Sequence, residues 1–589
     1  MSDWREDRKQ GLLTNLRNPQ SPKAVISLDG RIRQALEVGR TRLIVAGALM
    51  AMAFVIIGIR LVDLTLLQGS RSNTTSTAQE IDEAPPVQTR RADIVDRNGI
   101  VLATTLPTAS LYAEPKKIPN PEIAARLLAD ILPEISQDKL LKKLSSDRAF
   151  IWIKRNLTPR QQYAINGLGI PGLNFEQEQR RFYPHENLSA HIVGFTDVDN
   201  KGLAGVEQSF DTALRENDAP LELSIDLRVQ HILTEEMSAA MQEFSAIGAA
   251  GLVMDVNTGE VISSVSLPTF DPDSPGDAPD DARFNRATLG IYEMGSTFKL
   301  LTAAMALDEG VASVYDGYDV SKPIRISRFS ITDYKPMKRW LSVPEILIYS
   351  SNIGTVQMAL EVGTESQRKY LSNFGLLRTA STELSEVGTP LVPSPWREIN
   401  TMTISYGHGI AVSPLQMTTA VSSLVNGGVM KPATFIKRDK DYVPAGRRIL
   451  NEKTSILMRD MMRLVVLHGS GRNADAEGYL VGGKTGTADK LKGGRYVTNS
   501  RVSSFVAAFP MNNPRYVVYV MVDEPKGTKK TYGFATGGWV AAPVVKRVIE
   551  RMAPLLGIQP VHIESADDSG NSILKKAKAR MEGRKIAAR

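Results

Sequence analysis

Glu293-Met294-Gly295-Ser296-Thr297-Phe298-Lys299-Leu300-Leu301-Thr302 sets a serine and a lysine three positions apart at the entry to an apolar run. Residues three apart share a helix face, so the Lys299 amine can lie beside the Ser296 hydroxyl. Leu300, Leu301, Met305 and Leu307 continue the run, and Gly310 stands where a C-cap belongs. The pattern predicts a buried helix with a rigidly held N-terminal end. A serine hydroxyl is a poor nucleophile until a neighbouring base takes its proton. Lysine is such a base when burial or a nearby cation keeps it neutral. A helix N-terminus also stabilises a developing oxyanion. The spacing alone is weak, because Ser136/Lys139 and Ser572/Lys575 repeat it in polar, charge-rich sequence.

Two further motifs give Ser296 company. Ser350-Ser351-Asn352 follows the apolar, helix-like run Val343 to Tyr349. A hydroxyl there can relay a proton among Ser296, Lys299 and a leaving amine, and the Asn352 amide can bind a substrate backbone. Alone, the triplet says little: Ser569-Gly570-Asn571 matches it, and helix capping is its ordinary use. Val481-Gly482-Gly483-Lys484-Thr485-Gly486-Thr487-Ala488 comes last. Its glycines admit a substrate backbone close to a strand. Lys484 and Thr485 offer a cation and a hydroxyl to a terminal carboxylate, and the cation helps keep Lys299 neutral. A glycine-rich phosphate loop or a plain turn is the rival for this segment; the glycine that a Gly-x-x-x-x-Gly-Lys-Ser/Thr loop needs ahead of Gly483 reads as missing, so the ATPase reading fails. The chain has six histidines and no Gly-x-Ser-x-Gly elbow, which disfavours a Ser-His-Asp hydrolase. His408, in Ser405-Tyr406-Gly407-His408-Gly409, reads as a loop histidine. No His/Asp/Glu set has metal-ligand spacing, and no metal or cofactor is expected.

The 589 residues allow more than one domain, and 42% hydrophobic content with a net charge of +7 describes a globular chain. Cysteine is absent, which excludes disulfides, thiolate catalysis and Cys-based zinc sites. Residues 1–42 are polar and basic; Leu43 to Ile59 then runs without a charge, and apolar character resumes after Arg60 to about Leu67. The length suits a membrane-spanning helix, with Arg60 and Asp63 at its outer boundary. The long charged leader favours an uncleaved anchor over a signal peptide, with the N-terminus in the cytoplasm. A nucleic-acid role is set aside, because the positive charge gathers in this leader and in a tail (Lys575, Lys576, Lys578, Arg580, Arg584, Lys585) without a recognition motif. The tail reads as a solvated, disordered end.

Residues 69–86 read as a linker. Asp96-Arg97-Asn98-Gly99 is a turn between two β-prone pieces. Arg90, Arg91, Arg181 and Glu207 belong to two charged clusters that read as ion pairs bracing one module against another. Between the clusters, about 115–165 reads as a helical insertion. A Pro/Asp/Asn loop at 216–220 marks a boundary, after which Asp226 caps a helix with Leu233, Met237, Met241 and Phe244 on one face. Gly251 to Ile262 is a hairpin turning at Asn257-Thr258-Gly259, and it predicts a sheet under the Ser296 helix.

With the three motifs in this order, the chain resembles the penicillin-binding proteins. The resemblance runs from Arg90 to about Leu556. The Asp-Arg-Asn-Gly and Arg-Phe-Tyr-Pro/Gly-Val-Glu segments look like pedestal motifs of the class B, monofunctional group. Phe329-Ser330-Ile331-Thr332-Asp333-Tyr334-Lys335-Pro336-Met337, Tyr349 to Gly354 and Gly407-His408-Gly409 are similar to its division-specific FtsI branch. The resemblance implies an α+β chain: a cytoplasmic tail (1–42), one transmembrane helix (43–67), and an elongated β-containing pedestal (68–220). A β-lactamase-like transpeptidase domain (221–560), with an antiparallel sheet covered by helices, and a basic tail (561–589) follow. It also implies a D,D-transpeptidase acting on peptidoglycan stem peptides that end in D-Ala-D-Ala. Ser296 would be the nucleophile, Lys299 its base and Ser350 the proton relay to the leaving amine. Asn352 would hold the donor peptide; Lys484, Thr485 and Thr487 would bind its carboxylate, with Gly486 between them. The N–H groups of Ser296 and Thr487 would form the oxyanion hole. β-Lactams would acylate Ser296 and stall the enzyme. Implied too are a place in the inner membrane at the septum and partners among divisome proteins, including an FtsW-type glycosyltransferase. The alternatives are an elongation-specific transpeptidase, a carboxypeptidase or β-lactamase-type hydrolase, a β-lactam sensor and a scaffold.

Overall fold

Strands Gly248–Asp255 and Tyr516–Asp523 bury every residue they contain. Strands wrapped on both faces read as near-continuous apolar runs, and these two do. They occupy the middle of a five-stranded sheet in the order Gly482–Lys492, Arg495–Phe509, Tyr516–Asp523, Gly248–Asp255, Val261–Leu267. All four pairings are antiparallel. The computed structural model describes residues 47–56, 90–326, 329–439, 445–492, 495–561 and 568–587.

Successive side chains leave a strand on opposite faces. Ala250, Leu252, Met254, Val517, Tyr519, Met521 and Val506 therefore share one face. That face is covered by Leu300 and Leu301 of helix Phe298–Asp308, Val421 and Leu424 of helix Pro414–Val425, and Met458 and Met462 of helix Glu452–His468. Ala249, Val253, Val518, Val520 and Phe505 take the other face. Helix Leu227–Glu243, through Leu233 and Met237, and helix Ala541–Leu555, through Val545 and Val548, cover it. Each large side chain so enclosed contributes about 1.5–3 kcal/mol of transfer free energy, enough in sum to fix the sheet as the rigid layer beneath the site. Asp226 is the N-cap of helix Leu227–Glu243, accepting from Arg228 N at 3.0 Å. The hairpin turns at Gly259 (φ 77°).

Ahead of this domain, Val101–Ala113 pairs antiparallel with Ile94–Val95, Ile151–Leu157 and Leu173–Phe182. Ile94–Val95 also pairs in parallel with Leu221–Glu222. The stretch expected to be a helical insertion is only partly so. Helices Pro121–Ile131, Gln137–Leu144 and Pro159–Gly167 form, but Ile151–Leu157 is a strand, because Ile151 and Ile153 recur with a period of two. The predicted turn is held by Asp96, whose carboxylate accepts Asn98 N at 2.7 Å and Ile100 N at 2.9 Å. The same carboxylate accepts Leu227 N at 3.1 Å, tying this turn to the start of helix Leu227–Glu243. The expected ion pairs form a buried cluster. Glu207 accepts Arg91 Nε at 2.7 Å and Arg181 Nε at 2.6 Å, and all three side chains are almost fully enclosed. All three lie between residues 91 and 207, ahead of the loop at 216–220.

The tail contradicts expectation. Asp568–Ala587 is a helix, with Leu574 and Ala577 buried and Ile573 packed on the main core. Ile573, Leu574 and Ala577 fall on one narrow face of an otherwise charged helix, which supplies the apolar stripe that overall composition conceals.

Residues 1–88 form a separate unit. Within it, 47–56 is helical, and Leu49, Met50, Met52, Phe54, Val55 and Ile56 are exposed. The rest of the expected 43–67 anchor, the basic leader and the linker lie outside the described residues. Among the described residues no helix is long and apolar enough to cross a membrane.

Candidate active site

Ser296 lies in a single 3-10 turn, Gly295–Thr297, that leads into helix Phe298–Asp308. Thr297 Oγ1 donates to Met294 O at 2.8 Å and closes the turn. Gly295 (φ 53°) lets this turn meet the edge strand: a Cβ there would lie 2.6 Å from Thr487 O. The Ser296 backbone is thereby set beside Thr487. Glu309 is the C-cap of the helix and Gly310 (φ 71°) follows it.

Lys299 is fully buried. Its amine donates to Ser350 O at 2.6 Å and Ser350 Oγ at 3.1 Å. Lys484, also fully buried, donates to the same Oγ at 3.0 Å and to Thr485 Oγ1 at 3.3 Å. One hydroxyl thus bridges two amines that meet only in the folded chain. Ser350 can stand there because it ends helix Val343–Tyr349 in a left-handed conformation, φ 57°. A non-glycine residue holds that conformation only when its surroundings impose it, and such residues gather at functional sites.

Burial pushes the Lys299 amine well below the usual lysine range; the Lys484 charge adds to that and Asp333 opposes it. Burial also brings Lys484 down, to about 7. Of two ammonium groups sharing one hydroxyl in a dry site, one gives up its proton first. That one is Lys299, which feels its partner's charge in addition to its own desolvation.

The neighbouring triplet divides its labour. Ser351 is the N-cap of helix Asn352–Val362, accepting Gly354 N at 3.1 Å. Asp333 accepts Ser351 Oγ at 2.7 Å, Asn352 N at 2.5 Å and Ile353 N at 3.0 Å. Asn352 Nδ2 donates to Thr332 O at 2.8 Å. Lys484, Thr485, Gly486 and Thr487 lie in register opposite Val506, Phe505, Ser504 and Ser503. Thr485 Oγ1 and Ser470 Oγ are 2.7 Å apart, and Gly537 N donates to Thr487 Oγ1 at 3.1 Å. Gly478 stands five positions before Gly483-Lys484-Thr485, so the segment does satisfy the spacing of a phosphate loop. The fold is what excludes that reading. A phosphate loop joins a strand to the helix after it, whereas these residues begin edge strand Gly482–Lys492.

His408 packs against Tyr406 and Tyr496, at ring separations of 5.1 Å and 6.0 Å. Its pKa is lowered, first by burial and in part by the Lys299 charge. Its loop is tied to the serine turn by Gly295 N donating to Gly407 O at 3.2 Å and Gly409 N donating to Glu293 Oε1 at 2.8 Å. Among the described residues no group of three or more His, Asp or Glu is placed to hold a metal ion.

Residues 249–550 match the penicillin binding protein transpeptidase domain, and 86–226 match the penicillin-binding protein dimerisation domain. The chain belongs to the penicillin-binding protein transpeptidases. Over 490 residues it is 42% identical to the probable peptidoglycan D,D-transpeptidase FtsI of Caulobacter vibrioides, covering 81% of this chain and 83% of that one. The transpeptidase domain of penicillin-binding protein 3 from Burkholderia pseudomallei is 32% identical, with a TM-score of 0.52 over 58% of this chain and 98% of that structure. Penicillin-binding protein 3 of Mycobacterium tuberculosis, solved with aztreonam, shares the fold. It matches at 23% identity with a TM-score of 0.64, over 81% of this chain and 98% of that one.

Sequence reasoning gave no role to three groups of this penicillin-binding protein's site. They are Asp333, Ser470 and the Glu293–Tyr496 contact, in which the phenol donates at 3.1 Å. Asp333 lies in the Phe329 to Met337 segment, and a lone carboxylate 18 positions before Ser351 was the signal available. Ser470 carries no motif at all.

Proposed function

We infer that the chain is a peptidoglycan D,D-transpeptidase that cross-links stem peptides through an acyl-enzyme on Ser296. The observation that carries this reading is the Ser350 hydroxyl, held 3.1 Å from Lys299 Nζ and 3.0 Å from Lys484 Nζ, with Lys299 three positions after Ser296. Neutral Lys299 takes the Ser296 proton as Oγ attacks the carbonyl carbon of the penultimate D-alanine. The N–H groups of Ser296 and Thr487 receive the oxyanion. As the C–N bond breaks, the proton passes from Lys299 through Ser350 Oγ to the departing D-alanine nitrogen. Charged Lys484, with Thr485 and Thr487, holds that residue's carboxylate, and Asn352 holds the donor backbone. An amine of a second stem peptide then attacks the ester, its proton returns to Ser296, and the cross-link is made. β-Lactams acylate the same serine.

The chain is anchored in the inner membrane by 43–67, with the pedestal (68–220) and catalytic domain (221–560) in the periplasm. The exposed apolar side chains of 47–56 support this. Its place is the septum, beside an FtsW-type glycosyltransferase and other divisome proteins. The FtsI relative supports that assignment, and depletion should give filaments; round cells would reassign it to elongation.

Intact mass after incubation with benzylpenicillin tests the chemistry. Wild-type chain gains one stable adduct and Ser296→Ala gains none. Rapid turnover of the drug would indicate a hydrolase, and no adduct on either chain would leave a scaffold.

A further inference from the structure

The C-terminal helix Asp568–Ala587 has no part in the mechanism above, yet it grips both elements that end at the site. Leu574 packs with Ile348 and Leu464 in a small apolar cluster of its own. Ile348 lies two residues before Ser350 on helix Val343–Tyr349, and Leu464 belongs to helix Glu452–His468, whose end leads to Ser470. Asn571 Oδ1 and His468 Nε2 are 2.9 Å apart at that end. At the opposite end of the Ser350 helix, Arg580 reaches Asp316 at 3.8 Å, and Asp316 O accepts Val343 N at 3.1 Å. The two gripped helix ends also touch each other: a Cβ on Gly469 would lie 2.7 Å from Ile348 O. Lys575, Lys576 and Lys578 face solvent, so the buried part of the docking contact is the apolar stripe.

Ser350 sits at φ 57°, a conformation that lasts only while its surroundings over-determine it. Ser470 Oγ bonds Thr485, and Ser350 Oγ bonds Lys484. We propose that the C-terminal helix is a positioning element for acylation, fixing the Ser350 and Ser470 hydroxyls against the Lys484-Thr485 strand by clamping the helices that present them. Leu574 and Ala577 are its positioning residues. The inference rests on the transpeptidase reading, and acylation of the wild-type chain by penicillin tests that reading separately.

The experiment uses the full-length chain with Leu574→Asp, Ala577→Asp and the conservative Leu574→Met. Trypsin cleavage at Lys575 and Lys576 reports undocking. A fluorescent penicillin gives the acylation rate constant, and its burst amplitude gives the active fraction. Both aspartate variants should be cut faster and should acylate about tenfold more slowly per active site, the size expected for a small displacement of a reacting group. Leu574→Met should behave as wild type. The acid limb of the rate profile should move to higher pH. Lys299 faces Lys484, Asp333 and His408, and water admitted by a displaced Ser350 relieves its desolvation. Undocking with an unchanged rate constant and acid limb, even with a smaller active fraction, would make the helix merely structural and overturn the proposal. Unchanged trypsin sensitivity would overturn it too, because the apolar grip would not be what holds the helix.

Discussion

In the pedestal, Arg91 and Arg181 close on Glu207, and Asp211 takes the remaining charge of Arg91 at 2.7 Å. In the catalytic domain, Lys299 and Lys484 close on Ser350, a hydroxyl with no charge to give. Both clusters are buried, and each draws its cations from distant parts of the chain. The pedestal meets the desolvation of two guanidinium groups with two carboxylates at hydrogen-bond distance, so its charges are matched and it holds a shape. The catalytic cluster leaves like charges facing each other, Asp333 opposing the effect on Lys299, and loss of a proton relieves it. An unbalanced cluster makes a base, whereas a balanced one makes a brace.

The contrast breaks most sharply at Lys299. Lys299→Ala should lower the acylation rate constant on the order of 10³–10⁴-fold while the chain stays folded, measured by stopped flow with a fluorescent penicillin. Glu207→Ala should do the reverse. Leaving Arg181 without a carboxylate, and Arg91 with Asp211 alone, costs about 3–5 kcal/mol in urea unfolding, with acylation per folded molecule unchanged. If Glu207→Ala slowed acylation without loss of stability, the brace would be part of the catalytic machinery.

The pH profile sharpens the same distinction. Lys299 must be neutral and Lys484 charged, so kcat/KM for acylation rises as pH climbs through the lowered Lys299 value. It falls again above the Lys484 value, about 7 in the free enzyme. Each unit above that should cost about tenfold. Lys484→Arg should remove the alkaline limb, because arginine does not titrate there. A limb that stayed would assign it to another group. Asp333→Asn is the mildest test. It weakens the cap of helix Asn352–Val362, costing roughly 1 kcal/mol in a thermal melt. It also removes the charge that raises the Lys299 pKa, so the acid limb should move to lower pH.

Much of this was legible before folding. Burial on both faces demands continuous apolar strands, and the Gly251 to Ile262 hairpin announced one of them. The spacing of Ser296 and Lys299 placed both at one helix entry, Ser296 in the 3-10 turn and Lys299 in the helix that follows, with the Lys299 amine turned to Ser350, and Lys484 stood out in a glycine-rich strand. What escaped was local pattern in unfavourable company. Ile151–Leu157 alternates but lies between helices, and the apolar stripe of Asp568–Ala587 is diluted by charges. The phosphate-loop spacing from Gly478 shows the converse, a pattern present whose structural setting is not.

By itself the sequence determined which functional groups are on offer to the proposed chemistry, because a serine, two lysines and two threonines stand in the chain with their short-range spacing. Tertiary structure alone decided that Lys299 and Lys484, respectively 51 and 134 positions from Ser350, hold one hydroxyl between them. It also decided that Asp333 caps the neighbouring helix and that the C-terminal helix clamps the ends of two others. The physical reason is that a pKa depends on burial and on charges a few ångströms away, and neither exists until remote segments pack on the same sheet.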